Sequence, residues 1–329
     1  RFGPEAKPFA CRLFPFVLIP AGSHWRVGLH YSCPSAAENK GRRLLDHDPE
    51  LLQLAHLLEK HVGHTPDSAA PPPLAPRQQV GWPDLIRIVQ ALMEIVEDRS
   101  SRLERRLRRC LALAQVCRQA RLENLSGGKL VEFLKLVGAG LDAEVPRTPA
   151  EVPPPTWLGR GLFRTLLAIF ARKDVGSHQG SANRSRTGRV ASGCRFILGR
   201  GPIPLVNAFL ADMSFEEVER RPALPAEVDE HLERYYLTKL HSVQFCGPPN
   251  FDLSFWAGLD SLMLTFPLIL WLARAVTASS SEAAVQKALL LVDDHFGGNP
   301  ILRLRAIRYF LNTLSQQREI EKLLAWYSR

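Results

Sequence analysis

Leu262 to Ala273 is a run of twelve residues without a charge, closed by Asp260 on one side and Arg274 on the other. Such a run belongs either in a bilayer or in the interior of a fold. A bilayer helix needs about 20 predominantly apolar residues, and Thr265 and Pro267 interrupt this one. It therefore reads as a buried helix, and the chain is expected to have no membrane span. The body around that helix must be large. With 329 residues, 46% of them hydrophobic, the chain exceeds one ordinary domain and has enough apolar surface to fold.

Most of the sequence follows helical spacing. Leu85, Ile88, Val89, Leu92, Ile95 and Val96 recur on one helix face after Trp82-Pro83-Asp84, and Arg102 to Leu122 continues with Leu103, Leu107, Cys110, Leu111 and Ala114. Further helices are expected over 48–61, 129–137, 157–172, 226–245, 253–276, 282–292, 301–314 and 318–327, with Gly and Pro at the breaks. Strands do not alternate with helices, which excludes a doubly wound nucleotide-binding sheet. The exception is at the front. Phe14 to Pro20 and Trp25 to Tyr31 are rich in strand formers around an Ala21-Gly22 turn, so a β-hairpin is expected, with Trp25, Val27, Leu29 and Tyr31 on one face and Arg26, Gly28 and His30 on the other. The expected fold is thus mainly α: a small β-hairpin cysteine module over 1–62, a Pro-rich linker over 63–80, and a multi-helix domain over 81–329.

The formal charge of +9 is uneven. Between Arg160 and Arg200 stand nine Lys or Arg and one acid, Asp174. The stretch 173–204 is rich in Gly, Ser and Arg without periodicity, and reads as a basic loop with a short strand at Phe196-Ile197-Leu198. Arg184, Arg186, Arg189, Arg195 and Arg200 could engage an anionic partner, a nucleic acid or an acidic protein, through their charge. Arg102, Arg105, Arg106 and Arg109 form a second basic strip that is expected to be a solvated helix face. Six scattered cysteines and no basic-then-apolar leader favour a reducing, cytoplasmic setting, and the opening at Arg1 rather than Met reads as a cut start.

Cys11 and Cys33 sit in short Pro-flanked contexts, Lys7-Pro8-Phe9-Ala10-Cys11-Arg12-Leu13-Phe14-Pro15 and Tyr31-Ser32-Cys33-Pro34. These segments resemble the second half of the YkgJ-type cysteine-cluster proteins, a family that includes the bacterial flagellin lysine-N-methylases. The likeness covers roughly the first 45 residues, and the tight C-x-x-C-x-x-C-C cluster that opens the family pattern is missing here. The resemblance implies zinc, iron or iron–sulfur binding by Cys11 and Cys33. More distantly it implies a protein lysine N-methyltransferase that uses S-adenosylmethionine on a flagellin-like substrate. Two donors do not close a site, since structural zinc and iron–sulfur clusters each take about four. The alternative is a non-catalytic helical binding protein with structural thiols and an anionic partner at its basic loop.

The remaining candidates are weaker. Lys7, Arg12 and Arg26 could lower the thiol pKa values, and His24 and His30 could serve as substitute ligands. Cys110 and Cys117, seven apart on one helix, are expected to pack as small hydrophobes, and Cys194 and Cys246 have no ligand set beside them. Gly138-Ala139-Gly140 reads as a helix end rather than a cofactor turn, and Asp293-Asp294-His295 as a capping or solvated helix terminus. Nothing in the sequence sets the oligomeric state.

Overall fold

The computed structural model describes residues 8–63, 65–172 and 186–329. Helices account for 65% of the structure, and a two-stranded antiparallel hairpin near the N-terminus precedes a multi-helix region, as the sequence pattern predicts. In chain order the elements are α1 (Phe9–Leu13), β1 (Phe16–Ala21), β2 (His24–Leu29), α2 (Pro34–Ala37), α3 (Asp48–Val62), α4 (Trp82–Glu97), α5 (Leu103–Gln119), α6 (Gly127–Glu144) and α7 (Trp157–Phe170). They continue with α8 (Arg186–Leu198), α9 (Phe215–Arg220), α10 (Asp229–Ser242), α11 (Phe255–Ala275), α12 (Ser281–His295), α13 (Arg305–Gln316) and α14 (Glu319–Tyr327).

The apolar run is the middle of α11, which packs against α5, α9, α12, α13 and α14. Among the described residues it is the one helix long and apolar enough to cross a membrane, and it is 89% buried inside the fold. Its first free backbone N–H groups are capped from outside: Phe255 N and Trp256 N donate to the carbonyls of Pro73 and Leu74, at 2.8 and 3.2 Å. The Pro-rich stretch therefore lies along the helical body, with Leu74 fully buried. All six apolar positions expected to face inward on α4 are buried.

The hairpin is held on both sides. Phe16 and Leu18 of β1 and Trp25, Val27 and Leu29 of β2 cluster with Leu51, Leu54 and Ala55 of α3, and Trp25 Nε1 donates to Glu59 at 3.0 Å. The opposite face of β2 meets α10. There Gly28 has a specific use, because a Cβ at this position would stand 2.8 Å from Gln244 Oε1 and 2.9 Å from Ser242 Oγ. Gly22, with φ +71°, makes the turn in a conformation that costs a glycine little.

Three expectations fail. The stretch 173–204 is not all loop: 173–185 lie outside the described residues, but Arg186–Leu198 is α8. Phe196, expected in a strand, is buried in that helix with its ring 5.2 Å from Phe215 and 6.4 Å from Trp271. Gly188 and Gly193 weaken helix propensity, and tertiary burial of Phe196 overrides it. Gly138-Ala139-Gly140 lies within α6 rather than at its end, and so offers no strand-to-helix turn for a methyl donor. The arginines of α5 are buried instead of solvated, as described below.

Candidate functional site

Cys11 and Cys33 stand at the same, open end of the hairpin. Phe16 pairs with Leu29 as the first rung, and His30 N extends the ladder to Pro15 O at 2.8 Å. One step further out the Phe14 and His30 rings stack with centroids 6.0 Å apart. Cys11, three residues before Phe14, is exposed on α1. Cys33, three residues after His30, is the N-cap residue of α2 and half-buried. The other thiols divide differently. Cys194 is exposed on α8, while Cys110, Cys117 and Cys246 are buried in the helical body. Burial pushes the Cys110 and Cys117 thiols up to about 12 and raises Cys246 as well, so all three stay protonated and packed as hydrophobes, as expected for Cys110 and Cys117 from their helix spacing.

The accessory residues are sorted by the same register. His30 is beside the cysteine end, and burial holds its pKa below the usual histidine value, with Asp293 opposing and Lys239 adding to the shift; a neutral imidazole is the form that ligates metal. His24 pairs with Ala21 at the turn, a strand length of about 17 Å away, and cannot join the thiols. Arg26 donates to His241 O on α10 and so serves the docking of β2, not the thiols. Lys7 lies outside the described residues. Among the described residues no group of three or more His, Cys, Asp or Glu is arranged to hold a metal ion.

The chain leaving β2 toward Cys33 is clamped by a pair that sequence reading missed. Lys239 of α10 and Asp293 of α12, both without side-chain exposure, pair at 2.6 Å. The ammonium also donates to Leu29 O at 3.0 Å and Gln244 Oε1 at 3.1 Å. The Tyr235, Phe296 and Tyr31 rings surround it at 5.4, 5.7 and 5.9 Å. Burial lowers the Lys239 pKa, and the Asp293 charge and hydrogen bond work against that shift. The other Asp293 oxygen accepts from the backbone N–H groups of Tyr31 and Ser32. Tyr31 adds a hydroxyl contact to Thr238 at 3.0 Å, and Arg234 donates to Ala37 O at 3.0 Å. Residues 29–37 are thus tied to the helical body on both sides of Cys33.

Asp293-Asp294-His295 is therefore neither a solvated end nor a metal trio. Asp293 is committed to Lys239, Asp294 is exposed, and buried His295 bonds Asn299 at 2.8 Å and the Arg172 carbonyl. Tyr235 and Lys239 are four apart, so the lysine shares a helix face with an aromatic, but that spacing gives no pointer to Asp293.

Of the basic strip, Arg102 is exposed as expected, while Arg105, Arg106 and Arg109 are corrected in the same way. Arg105, Arg106, Arg108 and Arg109 are 2–8% exposed because α5 is enclosed by α4, α6, α10, α11 and α14. Each has a carboxylate: Arg105 with Asp142 at 2.9 Å, Arg106 with Glu233 at 2.6 Å, Arg108 with Glu104 at 2.5 Å and Arg109 with Asp98 at 2.6 Å. Arg99 joins Glu233 and Arg102 joins Asp229, both at 2.6 Å. A cavity of about 770 Å³ at this end of α5 is lined by five arginines and five acids. The two signs balance, and it presents no surplus charge to an anion.

Comparison with family models, curated proteins and solved structures finds no match in any of the three.

Proposed function

We propose that the hairpin is a thiol module that donates Cys11 and Cys33 to a zinc or iron centre, with its remaining donors supplied from beyond the described residues, by another molecule or by a second copy of the chain. The observation that carries the reading is the hairpin register, which sets both cysteines within three residues of the stacked Phe14–His30 pair at one end of the ladder. Three features support it. The two thiols are accessible while those of the helical core are buried; burial lowers the pKa of His30 beside them; and the Lys239–Asp293 pair fixes the backbone just ahead of Cys33. The likeness of the Lys7-to-Pro15 segment to the cysteine-cluster family points to the same chemistry. A metal here would tie α1 to α2 across the open end of the hairpin.

Cobalt(II) added to the reduced, metal-free chain tests this. A thiolate-to-cobalt charge-transfer band should develop and be bleached by zinc. Cys11→Ser and Cys33→Ser should each abolish it, and Cys194→Ser should leave it intact. A metal-to-chain ratio of one half identifies two copies sharing an ion. A band that survives both serine variants removes the assignment.

A further inference from the structure

The α8 helix carries its apolar side outward. Ser192 and Phe196 face inward and are buried, while Val190, Ile197 and Leu198 are 62%, 46% and 66% exposed, with Ala191 and Cys194 exposed among them. Positions 190, 194, 197 and 198 follow the i, i+4, i+7, i+8 rule, so they make one continuous stripe along the helix. Arg195 at the edge of the stripe and Arg200 just past its end are exposed. The helix has Arg186, Arg189 and Arg195 in its sequence and no Asp or Glu.

We propose that this face of α8 rests on an anionic lipid surface, with the apolar stripe entering the acyl boundary and Arg195 and Arg200 staying among the headgroup phosphates. Both halves of the surface are needed for that, and charge complementarity selects the occupant. A nucleic acid would suit the arginines but leave Val190, Ile197 and Leu198 facing phosphates and water. It would also find no exposed aromatic on α8 for stacking, since Phe196 is buried. A second copy would bring cations against cations. A thirteen-residue helix, about 20 Å long, also falls well short of the roughly 800 Å² per partner that a stable interface buries. The chain's own 173–185 segment has Val175 as its only aliphatic residue larger than alanine, which is too little to cover the stripe.

Cosedimentation of the full chain with vesicles tests the proposal. Vesicles of phosphatidylglycerol and phosphatidylcholine should carry the protein down, added salt should release it, and pure phosphatidylcholine should leave it in solution. Val190→Ser combined with Ile197→Ser should abolish binding without moving the thermal transition, because both positions are exposed. Arg195→Gln should weaken it about fivefold, the effect of one basic residue at an anionic surface. No binding to either vesicle, equal binding to both, or undiminished binding by the double serine variant each overturns the proposal. So does capture by RNA or by an acidic peptide with no binding to vesicles.

Discussion

Lys239 shows how much one side chain can organise. Its ammonium is taken wholly out of water, which is tolerated only because a carboxylate, a carbonyl and an amide oxygen meet it. Replacing one partner of such a pair strands the other charge in the interior, at a cost of about 3–5 kcal/mol. Lys239→Met is expected to lower the unfolding free energy measured in urea by that much, and Lys239→Met with Asp293→Asn to recover part of it, since the amide still accepts from Tyr31 and Ser32 without a net charge. The same single variant should speed the reaction of Cys33 with a thiol reagent while leaving Cys11 unchanged. An equal rate for Cys33 in both proteins would detach the clamp from the cysteine module. The pair was not legible beforehand, because Lys239 and Asp293 are 54 residues apart by their numbers and periodicity reports which face a residue shares, not what that face meets.

Helix α11 illustrates the opposite case, an element whose sequence already required burial. How closely it is approached is set by its neighbours. A Cβ at Gly258 would lie 2.2 Å from the Phe245 carbonyl and 2.8 Å from Cys246 Cβ. In an exposed helix Gly→Ala stabilises by about 1 kcal/mol. Here overpacking reverses the sign, and Gly258→Ala is expected to destabilise by about 1–3 kcal/mol, read as a lowered denaturant midpoint. Helix α5 differs in that its arginines have the spacing of a solvated face and become buried ion pairs because acids from α6, α10 and the C-cap of α4 join Glu104 of α5 itself around them. The pattern of charges on one helix is the same in both situations, so burial could not be read from it. For α8, weak propensity hid the helix altogether.

The folded molecule as a whole holds protons on groups that water would strip of them. The Cys110 and Cys117 thiols, pushed up to about 12 by burial from 9.0, bind protons in the native state that the unfolded chain releases near pH 9. The folded form is then the better proton binder between these values, so stability is complete below pH 9 and falls as pH rises through the window toward 12. Unfolding free energy measured across that range should drop, and Cys110→Ala with Cys117→Ala should flatten the dependence. A slope unchanged in the double variant would place its origin in other buried groups, such as the tyrosines of the core. The fold class, the hairpin, the α11 core helix and the apolar face of α4 all follow from residue spacing, because each expresses a local periodicity that a strand or helix must satisfy whatever surrounds it. The placing of Cys11 and Cys33 at one end of the hairpin is nearly as local, as it needs only the turn at Gly22 and a ladder of six rungs. The Lys239–Asp293 clamp, the neutralised arginines of α5 and the outward apolar stripe of α8 arise from contacts between distant segments, where desolvation and pairing depend on neighbours that no stretch of the chain specifies alone.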